Sequence, residues 1–371
     1  MKTLHCVHSI DPQKGGVSTF LTTLSHEATI ITLDPPHDAW RKGLQANCIF
    51  TGPSFTNYGY NAQIVPRLKQ ILNDYQALVI HGLWQYHGLA TLWANRPQPI
   101  PLYIMPHGML DVWFQRGDPI KRLKKYLYWH IVEKHLFQHS QGVFFTSAAE
   151  KDRSTGYLSS YTGLQQIIPI GIPAPQKPRH RVNYPELVDK RIMLFLGRID
   201  HKKGLDLLVE AWCRLSDHPA MSNWALALVG PCADPSYANA LIQRLNQHHA
   251  HFLYIPFAEG EQKWALLRQA DFFILPSHQE NFGMAVVEAL AMGTPVLISD
   301  QVNIHSSIIE AQAGLVQPDT LLGTQKLLED AFTMALGVHR LYRQAAHRLF
   351  DDQFNLDNRP YPLEQALTQM I

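Results

Sequence analysis

The chain has 371 residues, of which 46% are hydrophobic and 17% charged, and its formal net charge is +1 with histidine neutral. That length exceeds one ordinary α/β core and suits two domains, and the apolar fraction excludes a disordered chain. A net charge so near zero gives no bulk attraction to nucleic acid.

Taken in order, short apolar runs at Leu4–Ile10, Thr29–Leu33, Ala77–His81, Leu102–Met105, Val143–Thr146 and Ile167–Ile170 read as strands. Helical patterns fall between them at Val17–Glu27, Ala62–Asn73, Leu89–Asn95, Pro119–Phe137 and Ala148–Leu158. Such alternation predicts a parallel sheet with helices on both faces. Pro173, Pro175, Pro178 and Pro185 then crowd a polar stretch, and residues 174–190 read as a linker. The pattern restarts with strands at Ile192–Leu196, Leu226–Val229, Phe252–Ile255, Phe272–Leu275 and Val296–Ile298, and with helices at Leu205–Leu215 and Gly283–Met292. The expected class is α/β, with two Rossmann-like doubly wound domains, 1–173 and 191–350, facing each other across a cleft. A C-terminal segment follows over 351–371, and its helix Leu363–Met370 is a candidate to cross back to the first domain.

The four cysteines, Cys6, Cys48, Cys213 and Cys232, are scattered without a C-x-x-C pair, and Cys6 and Cys213 read as ordinary buried thiols of a reducing compartment. No run reaches the ~18 apolar residues of a membrane span, and the chain opens on a strand rather than a signal-peptide core. The expectation is a cytoplasmic protein.

Two loops carry the chemistry. Glu280-Asn281-Phe282-Gly283-Met284 links a buried strand to a helix that holds Glu288, eight positions after Glu280. A tight turn feeding a helix N-terminus gathers free N–H groups and positive dipole, which suits a phosphate, while Glu280 at the strand lip can accept from sugar hydroxyls. Taken alone, the pair of glutamates is equally explained by a solvated surface helix. The second loop, Gly197-Arg198-Ile199-Asp200-His201-Lys202-Lys203-Gly204, has the same strand-loop-helix context. Arg198 and Lys203 would stabilise a diphosphate leaving group, one by a forked pair of hydrogen bonds and the other as a point charge.

GR-x4-KG and E-x7-E in this order resemble the retaining glycosyltransferases of family 4, also called glycosyl transferases group 1. The resemblance continues through Ala289-Leu290-Ala291-Met292-Gly293-Thr294-Pro295-Val296, and in the first half through Lys14-Gly15-Gly16-Val17 and Pro106-His107-Gly108. It covers nearly the whole chain and is more specific in the second half. It implies the two-domain GT-B architecture and transfer of a hexose from a nucleoside-diphosphate sugar to a cell-surface polysaccharide or lipid-linked oligosaccharide precursor. It also implies that Glu280 binds donor-sugar hydroxyls and that the backbone of Asn281, Phe282, Gly283 and Met284 meets sugar and diphosphate. Glu288 would take the ribose, and His107 would approach the sugar at the reaction centre. Asn281 stands where the family often carries glycine. A nucleotide-sugar epimerase of the same fold and a non-catalytic nucleotide-sugar-binding subunit are the alternatives.

Gly15 and Gly16 between the first strand and helix are a further donor-binding candidate, though a plain tight turn explains them almost as well. Neither G-x-G-x-x-G nor G-x-x-x-x-G-K-[ST] occurs there, which argues against dehydrogenase and ATPase chemistry. No D-x-D occurs anywhere, so cations and a helix dipole are expected in place of a metal ion, with no cofactor beyond the co-substrate. Lys121, Arg122, Lys124 and Lys125 flank a helical face of Ile120, Leu123, Leu127 and Ile131. That helix reads equally as core-packed with a basic side or as a peripheral contact with an anionic membrane.

Overall fold

A computed structural model describes residues 1–11, 16–41, 43–97, 99–111, 119–168, 170–232, 234–248, 251–359 and 361–370. The chain divides into two compact units, Met1–Ile170 with Arg359–Ile371, and Gly171–Asn358.

The first unit holds seven strands: β1 Thr3–Val7, β2 Ala28–Thr32, β3 Asn47–Phe50, β4 Ala77–His81, β5 Leu102–Met105, β6 Gly142–Phe145 and β7 Leu164–Ile167. They form one parallel sheet in the order β3-β2-β1-β4-β5-β6-β7. The helices between strands are α1 Gly16–Leu21, α2 Ile64–Ile71, α3 Tyr86–Asn95, α4 Pro119–Tyr128, α5 Lys134–Gln138, α6 Ala148–Arg153 and α7 Thr155–Leu158. β1 and β4 are buried at every position, as strands covered on both faces require. The strand order reverses between β1 and β4, and the crevice beyond the carboxyl ends of such a pair is where open α/β sheets bind ligands.

The second unit repeats the plan with β8 Arg191–Leu196, β9 Trp224–Val229, β10 Phe252–Ile255, β11 Phe272–Leu275, β12 Val296–Ser299 and β13 Gly314–Gln317, ordered β10-β9-β8-β11-β12-β13. All pairs are parallel. Its helices are α8 Leu205–Arg214, α9 Pro235–Gln247, α10 Gly260–Gln269, α11 Met284–Ala291, α12 His305–Glu310, α13 Leu321–Thr333 and α14 Leu336–Leu349. Here the order reverses between β8 and β11, the two strands that feed the loops singled out above. A last helix, α15 Pro362–Met370, belongs to the first unit, where Glu364 accepts from the Ser25 N–H at 2.8 Å and Leu363 and Leu367 are buried.

Several boundaries differ from the sequence expectation. The seventh strand is Leu164–Ile167, not Ile167–Ile170, because proline at 169 has no N–H to give a ladder and the pairing uses the polar Gln165 and Gln166 instead. The first helix ends at Leu21 rather than Glu27, where the Thr22 and Thr23 hydroxyls donate back to the carbonyls of Thr19 and Phe20. The expected helix 119–137 is α4 and α5 joined by a π turn, Trp129–Glu133. The strands β3 and β13 were not anticipated; both are four-residue edge strands that are only partly buried, and their apolar runs, Cys48-Ile49-Phe50 and Leu315-Val316, are short.

Candidate functional site

In the second unit the loop after β8 is a designed turn. Asp200 caps a short 3-10 turn, His201–Lys203, by accepting from the Lys202 N–H at 2.9 Å. Gly204 ends it in the left-handed region, φ +67°, and a Cβ there would stand 1.8 Å from the Pro276 carbonyl oxygen, so only glycine fits. This close approach ties the loop to the one after β11. The Lys202 carbonyl accepts from both the Ser277 hydroxyl and the His278 N–H, each at 2.9 Å.

The lacing brings Glu280 to the cations. Lys203 Nζ donates to Glu280 Oε2, and both side chains are mostly buried. Burial pushes the Glu280 carboxyl up, but Lys203, Lys202 and Arg198 together outweigh it and hold it below its ordinary value. Its backbone is fixed on both sides, by Glu280 N–H to Gln301 O at 3.1 Å and Asn303 N–H to Glu280 O at 3.1 Å. Asn281 follows, its amide oxygen accepting from Asn303 at 3.1 Å. Phe282 is buried and packs edge-on against Phe354, ring centroids 5.7 Å apart. Gly283, φ +79°, is the N-cap of α11, and no side chain among the described residues caps that helix. The Val286 and Val287 N–H groups return to the Gly283 carbonyl, at 2.8 and 3.2 Å, which leaves those of Met284 and Ala285 open to an anion. Glu288 lies on the same helix and accepts from Lys263 Nζ of α10 at 2.9 Å.

In the first unit His107 sits just past β5, with φ +52°, followed by Gly108 at φ +78°. A non-glycine residue in this region is uncommon and persists only where its surroundings hold it. Glu150 does so from α6. It stands three positions after the cap in Ser147-Ala148-Ala149-Glu150 and accepts from the Gly108 N–H at 2.5 Å and the Thr146 N–H at 2.7 Å. The Trp84 indole donates to the Met109 carbonyl at 3.0 Å. Burial lowers the His107 pKa to about 3, so the imidazole is neutral. Gly16 begins α1, and an added Cβ would meet nothing within 4 Å. Gly15 lies outside the described residues.

Residues 176–331 match the family described as Glycosyl transferases group 1, and residues 21–171 match the Glycosyl transferase 4-like domain. The chain belongs to glycosyltransferase family 4. Among its relatives, a D-inositol 3-phosphate glycosyltransferase of Jonesia denitrificans is 31% identical over 39% of this chain and 35% of its own. The chain thus spans about a third of that relative's length. A GDP-mannose:cellobiosyl-diphosphopolyprenol alpha-mannosyltransferase of Xanthomonas campestris is 24% identical over 81% of this chain and 79% of its own. The Anabaena HepE structure, solved with UDP and glucose, superposes with a TM-score of 0.76 at 15% identity, covering 99% of each chain. That likeness gives the GT-B fold, two parallel sheets flanked by helices.

The sequence reading missed four partners. Lys202 stands among Arg198, Lys203 and Glu280, and burial lowers its pKa. Lys263 pairs with Glu288. His278 is clasped between Asp319, 2.7 Å from Nδ1, and Asp206, 3.4 Å from Nε2; these bonds raise its pKa to about 10, so it is an imidazolium at neutral pH. His81 hydrogen-bonds His107. Lys202 lies inside the first quoted motif and His278 two residues before the second, whereas Lys263 and His81 lie on other elements where no spacing rule reaches them.

The basic helix departs from a core-packed reading. Ile120, Leu123, Leu127 and Ile131 are each at least half exposed, up to 68% at Ile131. Arg122 and Lys124 are exposed too, but Lys125 turns back over the Trp84 ring, 5.2 Å from its centroid. The side chain of Lys121 lies outside the described residues. Among the described residues no helix is long and apolar enough to cross a membrane.

Proposed function

We propose that the chain moves a hexose from a nucleoside-diphosphate sugar to a hydroxyl of a cell-surface polysaccharide or lipid-linked oligosaccharide precursor, with retention of anomeric configuration. The observation that carries this is the grouping of Arg198, Lys202 and Lys203 about Glu280, beside the uncapped N-terminus of α11 at the reversal of strand order. Three cations against two carboxylates, Glu280 and Asp200, leave an excess of positive charge suited to a diphosphate. Glu280, now held by Lys203, would exchange part of that bond for donor-sugar hydroxyls, and Glu288 would take the ribose in place of Lys263. His107 is assigned a contact to the sugar. In the reaction the bond from the anomeric carbon to the diphosphate breaks and one to the acceptor oxygen forms on the same face. The acceptor proton passes to the departing phosphate, and the protein supplies orientation and charge. We assign the charge compensation to these side chains and the helix rather than to a metal ion.

The exposed stripe of α4 supports a lipid-linked acceptor, because an amphipathic basic helix would hold the enzyme at an anionic membrane surface. The name of the Xanthomonas relative, with its diphosphopolyprenol acceptor, favours the same reading.

Steady-state kinetics with calorimetry of nucleoside diphosphate binding test the assignment. Leaving-group charge grows toward the transition state, so Arg198→Ala should lower turnover by roughly 10²–10³. Glu288→Ala should instead weaken nucleotide binding by about 1–3 kcal/mol, with turnover at saturation less affected. Activity should persist in EDTA. Wild-type turnover in Arg198→Ala would remove the leaving-group role, and a sugar altered without any acceptor would point to an epimerase.

A further inference from the structure

The first unit contains a buried chain of imidazoles that ends at His107. Thr3 Oγ1 lies 2.9 Å from His5 Nε2, His5 Nδ1 lies 2.9 Å from His81 Nε2, and His81 Nδ1 lies 2.9 Å from His107 Nε2. The four residues come from β1, β4 and the turn after β5, so the relay crosses the sheet where its strand order reverses. Thr3 and His5 are 0% exposed and His81 is 1% exposed, while His107 is partly exposed. Phe20 of α1 lies against both the His81 and His107 rings, with centroids 5.5 and 5.4 Å away.

A neutral imidazole has one N–H and one lone pair, so each ring in such a chain passes its polarity to the next. Burial holds all three rings neutral. The end of the chain then decides its direction. The Thr3 hydroxyl has His5 Nε2 as its only partner among the described residues, and a buried hydroxyl proton needs an acceptor. Thr3 must donate, His5 then donates from Nδ1 to His81, and His81 donates from Nδ1 to His107 Nε2. The His107 proton is left on Nδ1, the nitrogen that no described residue engages.

We propose that Thr3, through His5 and His81, fixes His107 as the Nδ1–H tautomer, so that His107 acts on the substrate as a hydrogen-bond donor to oxygen and not as a base. This rests on the assignment of His107 to the sugar made above. Thr3, His5 and His81 are positioning residues.

Nitrogen-15 NMR of histidine-labelled protein reads the tautomer directly, with His107→Gln to assign the signal. The expected result is protonated Nδ1 and unprotonated Nε2 on His5, His81 and His107, unchanged from pH 5 to 8. Thr3→Val keeps the shape and the strand preference but removes the proton donor. It should shift His107 toward Nε2–H and lower turnover roughly 10-fold, about one hydrogen bond, with donor KM little changed. Thr3→Ser should restore both. An Nε2–H tautomer in the wild type, or an unchanged tautomer in Thr3→Val, overturns the proposal. The NMR result stands apart from activity, so a wild type that transfers no sugar would count against the proposed function alone.

Discussion

Single residues hold the two loops of the second unit, and two of them make sharp tests. His278 is an imidazolium between two carboxylates, with a folded pKa of about 10 against an ordinary 6.5. A raised folded pKa contributes stability that is fully present below the unfolded value and is lost as pH rises through the folded one. His278→Gln should therefore cost about 1–3 kcal/mol at pH 6, and the gap from wild type should close toward pH 10 and above. Urea midpoints across that range check this; a gap that stays constant would assign His278 to packing. Gly204 is a backbone test. Its left-handed φ and the 1.8 Å approach to Pro276 O mean that Gly204→Ala must push the two loops apart, breaking the bonds of Ser277 and His278 to Lys202 O. A loss of about 3 kcal/mol is expected by thermal denaturation. A melting temperature equal to wild type would show that the lacing is slack.

At the scale of elements, α4 separates stability from binding. Its apolar stripe is already in water, so Leu123→Ser with Ile131→Ser should change unfolding free energy by no more than about 0.5 kcal/mol. The same pair should abolish sedimentation with vesicles rich in anionic lipid. Arg122→Gln with Lys124→Gln should weaken that binding most at low salt, since exposed charge is screened within about 10 Å at 0.1 M. Equal sedimentation of all variants would give the stripe to another partner. Elements also set what could be read in advance. The strands Ala77–His81 and Leu102–Met105 were legible to the residue because both are continuous apolar runs closed by turns. The edge strand β7 was not, since half of it is glutamine and its neighbour Ile167-Ile168-Pro169-Ile170 looks more strand-like. The loops carrying Arg198, Lys203 and Glu280 stood out through glycine and charge at fixed spacing. The histidine relay did not, because its members are 76 and 26 residues apart and meet only once β1, β4 and β5 are paired.

At the scale of the whole molecule, the chain leaves the first unit after Ile170 and returns to it at Arg359. The outgoing and returning segments pair at Ile172 and Asn355, and Gly171 lets them meet where any Cβ would stand 1.9 Å from Phe354 O. α15 then buries Leu363, Ala366 and Leu367 in the first unit. Two leucines buried at roughly 1.5–3 kcal/mol each are a large part of a domain's typical 5–15 kcal/mol. A fragment of residues 1–170 should therefore unfold at lower denaturant than the same fragment supplied with a peptide of 359–371, and residues 171–358 should unfold cooperatively alone. Identical midpoints with and without the peptide would deny α15 that part. The consequence reaches back to synthesis. Nascent domains ordinarily fold in the order they emerge, but here the first sheet to leave the ribosome waits for its closing helix until some 190 residues later, as a whole second domain is translated in between. During that interval the surface meant for Leu363 and Leu367 is bare, and it is there that a chaperone would find this chain.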